Sequence, residues 1–370
     1  MKYLIIFAPT LNSINILMVL VLIIKLDHEE MKKHYTFINK LKTGNANIRR
    51  SYLRVYDKDY RGLHASTDIN IFENILSIPI SMSISHENLI NEYEIGKKLQ
   101  DRKVFTNRWK RFIFPLIYVV KELKNPKSRY KEWLSVFPKQ ASSHPMFFNE
   151  EERKWLKGST TVEKLDNDLK MIRDFYKRIS EVDEGFDVEF ETFLNFYYVL
   201  CSRYFGLTVN DKKVTLLVPY ADFINTGRSN DKNAYWFYES STNTFKVGSN
   251  NFIKAGDPIM FCYGHNSNFT YFTYYGIALD YREFDCVCFM LKFDSSIPNY
   301  KLKAQLLNSE DLMIKRARFY ADYKNRVLAN MHFMAKWRFY LSKAEATVLI
   351  NVNVQSKVSL CPQKLMILMI

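Results

Sequence analysis

Glycine is scarce and scattered: there are eleven in 370 residues, and no two of them lie two apart. A G-x-G-x-x-G turn or a Walker A loop needs closely spaced glycines to bring backbone N–H groups against phosphate, so a glycine-rich nucleotide cradle is excluded. The five cysteines, at 201, 262, 286, 288 and 361, include no C-x-x-C pair. Neither a zinc ribbon nor a disulfide framework is indicated. The seven histidines (28, 34, 64, 86, 144, 265 and 332) have no ligand spacing, and neither H-E-x-x-H nor G-x-S-x-G occurs. Metal and serine-hydrolase chemistry therefore lack support, and no metal is expected. Long apolar runs are missing too. Leu4 to Ile24 is apolar but is interrupted by Pro9, Asn12, Ser13 and Asn15, leaving only Ile16 to Ile24 unbroken. That is short of the roughly 20 residues a spanning helix requires. Residues 1–30 thus form an apolar extension with three readings: a membrane anchor that would give contact through residues 4–24, a buried helix, or a translation start that belongs at Met31. No small-residue cleavage site follows, which fits a removed signal peptide poorly.

What is present suffices for a large core. Hydrophobic residues make up 47% of the chain, aromatic residues 15% and charged residues 25%, a balance that excludes wholesale disorder. Lys and Arg number 53 against 39 Asp and Glu, a net charge of +14. Such a surplus attracts phosphate. Its densest run, KKLQDRKVFTNRWKR from Lys97 to Arg111, is interrupted by apolar residues as a solvated helix face would be, so no nucleic-acid partner is expected. Cys286 and Cys288, two apart in the apolar run CVCFML, read as small buried hydrophobes on one face of a strand.

Along the chain the pattern is β, then helices, then β, an α+β arrangement. Phe37 to Lys42 is a short helical stretch, and LSIPISMSI, Leu76 to Ile84, alternates as a strand broken by Pro79. From about 91 to 205 the period is helical. Val162, Leu165, Leu169, Ile172, Tyr176 and Ile179 recur three and four apart, with Thr160 and Glu163 placed as a capping box, and a second amphipathic helix is predicted from Glu189 to Tyr204. Short strands return at Val214 to Val218, Trp236 to Tyr238, Ile259 to Tyr263 and Val287 to Leu291. Residues 310–342 read as helix; residues 343–370 form a tail without assignment.

Three ordered segments carry a resemblance. They are DYRGLHASTDI (Asp59 to Ile69), VPYADFINT (Val218 to Thr226), and IKAGDPIMFCYGHNSN (Ile253 to Asn268) with YYGIALD (Tyr274 to Asp280). They resemble, respectively, E-G-x-G-L-x-A-x-x-D-I, P-x-A-D-x-x-N-H and the A-G-E…Y-G-x-x-S-N…Y-G-F pattern of SET-domain methyltransferases of the Rubisco large-subunit lysine methyltransferase type, a group that also includes an actin-histidine methyltransferase. NPKSRYKEWLSVFPK (Asn125 to Lys139) and FFNEEERKWLKGS (Phe147 to Ser159) are similar to that family's helical insertion. The resemblance implies a SET domain over residues 31–295, with the insertion at about 91–205, and the start of a C-terminal helical substrate-binding domain over residues 296–342.

The resemblance further implies S-adenosylmethionine as cofactor, held by Asp59, Arg61, Gly62 and Leu63 on one side and by Asp222, Asn225 and Thr226 on the other, with Arg203 and Tyr263 nearby. Gly62 suits a backbone that a ligand approaches closely. Tyr263 matches the family's catalytic tyrosine, and Tyr275 a second tyrosine of the substrate channel. Asn268 is expected to brace the turn after the catalytic strand. The implied partner is a protein substrate, with lysine ahead of histidine as acceptor; a monomer in the cytoplasm or nucleus is expected. Two positions depart from the pattern: Thr226 stands where the family has histidine, and Asp59 where it has glutamate. With the shortened C-terminus, these departures leave open a catalytically inert SET-fold binding module.

Overall fold

The computed structural model describes residues 31–57, 60–209, 212–264, 266–279, 286–292, 301 and 313–320. The expectations for residues 1–30, for Asp59 and for the tail from residue 343 lie outside that set. Among the described residues no helix is long and apolar enough to cross a membrane. The chain divides into two compact units. One holds the described residues up to Cys262 together with Thr273–Gly276; the other holds Tyr263–Phe272 and the described residues from Ile277 onward.

The first unit starts with a helix over residues 31–43 (α1), which buries Phe37 and Leu41. Strands β1 (Ser51–Asp57) and β2 (Tyr60–Ala65) form an antiparallel hairpin with Leu53 opposite Leu63. Strand β3 (Asn74–Pro79) ends at its proline, which cannot donate to a ladder, and the chain turns through a 3-10 helix at Ile80–Met82. β3 pairs with β8 (Thr244–Ser249), which pairs in turn with β7 (Ala234–Glu239), giving a three-stranded sheet of order β3-β8-β7. Leu76, Ile78, Phe245 and Val247 cover its buried face. Two-residue periodicity explains the set, since Leu76 sits opposite Val247 and Ile78 opposite Phe245.

Between β3 and the later strands lies the helical insertion: α2 (His86–Glu92), α3 (Glu94–Asp101), α4 (Asn107–Lys124), α5 (Lys131–Leu134), α6 (Glu150–Lys154), α7 (Thr160–Val182) and α8 (Phe190–Cys201). Every residue from Ile113 to Val120 of α4 is buried, so α4 is the insertion's central rod. The basic run Lys97 to Arg111 is not one helix face. It is split between α3 and α4, and Trp109 packs on Phe175 of α7 with ring centroids 4.9 Å apart. In α7 the predicted stripe buries Leu165, Ile172 and Ile179, while Val162 is exposed. The expected capping box is absent. Thr160 is already helical, the cap residue is Ser159, and its hydroxyl donates back to Leu156 O at 2.7 Å instead of accepting from the helix.

The predicted helix to Tyr204 stops at Cys201, and Tyr204 opens β4 (Tyr204–Val209), which pairs antiparallel with β5 (Lys212–Leu217). Two short strands, β6 (Asn225–Thr226) and β9 (Met260–Phe261), run parallel, with Asn225 opposite Met260 and Thr226 opposite Phe261. Phe261 is anchored by aromatic contacts to Trp236 at 4.9 Å and Phe205 at 6.0 Å. The strand expected from Ile259 to Tyr263 is therefore regular for two residues only. Helix α9 (Asn268–Tyr275) was not foreseen.

In the second unit, Asn268 clamps Leu279 from both sides: its Nδ2 donates to Leu279 O at 2.8 Å and its Oδ1 accepts from Leu279 N at 2.9 Å. The expectation placed its bracing contact in the turn after the catalytic strand, whereas this contact holds the segment that follows α9. Strands β10 (Cys286–Lys292) and β11 (Met313–Tyr320) pair antiparallel. Helix was expected from residue 310, so the strand over Met313–Tyr320 is a correction. MIKRARFY suits either period, and pairing with the apolar strand β10 decides the segment in favour of strand.

Candidate active site

Gly62 lies in β2 opposite Arg54 of β1. The Asn225 side chain reaches it from β6: Asn225 Nδ2 donates to Arg61 O at 2.8 Å, and a Cβ built on Gly62 would sit 2.8 Å from that same nitrogen. Glycine is required here by close approach. Residues 164 positions apart in sequence are thereby joined at one point of the first unit.

Arg61 lies with its guanidinium carbon 4.8 Å from the Phe223 ring centroid, and its Nη2 donates to Val136 O. Leu63 is 1% exposed, and its carbonyl accepts from Ile259 N at 2.8 Å. Its side chain therefore serves the core, while its backbone holds the segment leading into β9. Asp222 and Phe223 belong to a 3-10 turn, Ala221–Phe223, which Tyr220 enters at φ +69°. A left-handed tyrosine costs on the order of 1–3 kcal/mol. Its burial and its contact with Ser51, whose carbonyl accepts from the Tyr220 hydroxyl at 3.3 Å, hold the strained turn in place.

The charges lie beneath that turn. Arg203 stands at the junction where α8 ends and β4 begins, and its Nη1 donates to Asp222 O at 2.9 Å and to Asp222 Oδ2 at 3.2 Å. The Asp222 side chain is fully buried and that of Arg203 is 13% exposed. Trp133 Nε1 donates to Asp222 Oδ2 at 3.4 Å, and Phe137 lies 5.4 Å from the Arg203 guanidinium carbon. Burial pushes the Asp222 carboxyl above its ordinary range, against the pull of Arg203, Arg61 and the Trp133 N–H. Asp222 Oδ1 and Arg203 Nε are buried and make no hydrogen bond among the described residues. Buried polar atoms left in that state are rare, and they give this pair unused capacity toward a polar ligand. Two arginines, a half-buried amide, aromatic faces and spare polar atoms fit a zwitterionic nucleoside cofactor.

Thr226 is buried and takes its place in β6 through the ladder with Phe261, whose carbonyl also accepts from Gly227 N at 3.0 Å. The Thr226 hydroxyl donates to Gly227 O at 3.4 Å. Asp59 lies outside the described residues.

The two tyrosines are carried separately. Tyr263 follows Phe261 by two residues and belongs to the second unit, where it is half-buried. The turn after it is set by Gly264 at φ +121°, whose carbonyl accepts from the Tyr271 hydroxyl at 3.1 Å and from Asn266 N at 2.9 Å. Tyr275 is the last residue of α9, is half-buried, and belongs to the first unit.

Sequence reasoning missed Trp133, Val136, Phe137 and Phe223, which surround the charged pair. An available signal was the Trp133–Phe137 spacing of four just before Pro138, an aromatic pair at a helix end. Among the described residues no group of His, Cys, Asp and Glu could hold a metal ion.

These elements make up an α+β SET fold of the Rubisco LSMT type. The SET domain of LSMT bound to lysine and AdoHcy matches with a TM-score of 0.68 at 18% identity, over 87% of this chain and 75% of that one. Rubisco LSMT bound to AdoMet matches with a TM-score of 0.66 at 18% identity, over 86% and 74%. In sequence, the chain is 25% identical over 239 residues to the N-lysine methyltransferase setd6 of Salmo salar, covering 60% of this chain and 51% of that protein. It is 24% identical over 239 residues to the N-lysine methyltransferase SETD6 of Homo sapiens, covering 60% and 49%. The chain thus spans about half the length of these curated relatives. No protein-family profile matches it.

Proposed function

We propose that this protein is an S-adenosylmethionine-dependent protein-lysine N-methyltransferase acting on a non-histone protein. The observation that carries the reading is the Asn225 Nδ2 to Arg61 O hydrogen bond across Gly62, which joins two of the three motif segments. The third is tied in by the β6–β9 ladder, whose second strand ends two residues before Tyr263. Support comes from the relatives named N-lysine methyltransferase and from the fold shared with LSMT structures bound to AdoMet and to lysine.

In this reading Arg61, Gly62 and Leu63 with Asp222, Asn225 and Thr226 frame the cofactor cleft, and Arg203 is oriented by the buried Asp222. Bound S-adenosylmethionine supplies the electrophilic methyl group. The chain's own task is to present a neutral amine. Holding a lysine of ordinary pKa near 10.4 neutral at pH 7 costs about 4.6 kcal/mol, which a dry, aromatic-walled channel offsets by disfavouring the ammonium. Phenol oxygens around the reacting carbon accept weak C–H···O bonds of about 0.5–1 kcal/mol each and so orient the transfer. The SET unit is assigned to residues 31–295, with substrate docking by the segment that follows.

Tritiated methyl transfer to a cell extract, followed by mass spectrometry of the labelled peptide, tests this reading. Labelled lysine is the expected product, and Tyr263→Phe should lower transfer by roughly 100-fold while leaving cofactor affinity within about two-fold. Full activity in Tyr263→Phe would reject the tyrosine chosen. A second reading, a catalytically inert SET-fold binding module, is favoured by one observation: Thr226 fills the family's histidine position and is itself buried. It predicts no labelled product with the fold intact.

A further inference from the structure

His144 lies in the stretch between α5 and α6, is 2% exposed, and belongs to no motif used above. Both ring nitrogens are committed. Nδ1 accepts from Met146 N at 3.1 Å, which leaves the proton on Nε2, and Nε2 donates to Thr273 O at 3.0 Å. Thr273 lies in the last turn of α9. The imidazole therefore caps the end of the helix that carries Tyr275. The backbone on the other side of Tyr275 is gripped as well. Gly276 has φ +68°, and a Cβ there would come within 2.8 Å of His144 Cα and 2.9 Å of His144 N. One residue thus holds the chain at 273 and at 276, with Tyr275 between.

The grip is itself anchored. Asn195 of α8 accepts from Ala141 N at 3.0 Å and donates to Lys139 O at 2.9 Å, and Tyr198 of α8 lies against the His144 ring, with centroids 3.8 Å apart. The stretch bearing His144 is thus fastened to α8. Beside it, Lys164 of α7 places its ammonium 4.5 Å from the Tyr274 ring centroid and pairs with Asp168.

We infer that His144 is a positioning residue for methyl transfer: by capping Thr273 and packing on Gly276 it sets the orientation of Tyr275, the tyrosine that the resemblance assigns to the substrate channel. The inference rests on the methyltransferase reading given above. Burial pushes the imidazole down to about 4, below its ordinary 6.5, so it stays neutral and keeps this single tautomer at neutral pH. The grip is then constant across the working range.

Two variants separate positioning from bulk stability. In His144→Gln the longer amide can donate to Thr273 O from near the position of Nε2. In His144→Asn the shorter amide can still accept from Met146 N but falls short of Thr273. Expected are a kcat lowered by about 100-fold in His144→Asn, with KM for the protein substrate and cofactor affinity unchanged, and recovery to within about ten-fold of wild type in His144→Gln. Gly276→Ala should reproduce the Asn variant. The companion measurement needs no turnover. With 3-fluorotyrosine incorporated into the full chain and the Tyr275 resonance assigned through Tyr275→Phe, that resonance should shift or broaden in His144→Asn and stay in place in His144→Gln. An unmoved resonance in His144→Asn overturns the inference whatever the activity, and so does a kcat within two-fold of wild type. A moved resonance in a chain without methyl transfer upholds the grip on Tyr275 and rejects the enzymatic reading instead.

Discussion

Gly62 shows how a single atom decides a site. A methyl group there would stand 2.8 Å from Asn225 Nδ2, so Gly62→Ala must push the amide off Arg61 O or twist the hairpin. The lost bond is worth about 1–3 kcal/mol where a buried partner is left unsatisfied, and cofactor affinity should fall by roughly ten-fold or more, as read by calorimetric titration. Retained affinity would mean that the contact is incidental. Asp222 makes a second residue-scale case. Asp222→Ala removes the carboxylate from a nearly buried guanidinium and should destabilise the fold by about 3–5 kcal/mol in denaturant melts. His144 adds a pH signature. Its folded value of about 4 lies below the ordinary 6.5, so above pH 6.5 the neutral ring carries no penalty in either state. As pH falls toward 4 the unfolded chain takes up a proton that the folded chain refuses, and roughly 3 kcal/mol of stability is lost over that window. The urea midpoint of wild type should fall more steeply between pH 6.5 and 4 than that of His144→Gln; equal slopes would contradict the assignment. Of these residues, Gly62, Asp222 and Asn225 stood out in sequence because the motif fixes their neighbours. His144 did not, because Thr273, the partner that ties it to α9, is 129 positions away and leaves no local trace.

Elements were legible where periodicity was long and uncontested. The stripe of α7 and the alternation of β3 were readable because each buries one face against a core, and burial follows the repeat. Ends were less legible. Thr160 and Glu163 have capping-box spacing, yet Ser159 turns its hydroxyl back to Leu156 and the helix starts a residue early. At α2 the motif is real: Ser85 Oγ accepts from Glu87 N at 3.2 Å, and Asn88 Oδ1 accepts from Ser85 N at 2.8 Å. Ser85→Ala should therefore cost about 1 kcal/mol, whereas Thr160→Ala should stay within about 0.5 kcal/mol, both measured by urea denaturation. Comparable losses would mean that α7 is capped after all. Met313–Tyr320 misled for a different reason. Its mixture of charge and apolar groups satisfies both periods, and only the partner strand, distant in sequence, decides between them.

At the scale of the molecule, the order β, helices, β was readable because composition shifts at each boundary. What stayed hidden was how two halves of a small-strand fold come together around a long helical insertion. β6 and β9 have two residues each, too short for any sequence signal, yet their parallel pairing ties the Asn225 loop to the segment before Tyr263. Part of the basic run Lys97 to Arg111 is spent on internal contacts such as Arg111 Nη1 to Lys213 O at 3.2 Å. The proposal turns on Gly62 of β2 and Asn225 of β6 standing at the binding site of a methyl donor. Titration of S-adenosylmethionine into the full chain tests it most directly. One site of micromolar affinity, weakened in Gly62→Ala, is the predicted result; no detectable binding heat by a folded wild-type chain across several temperatures would contradict it.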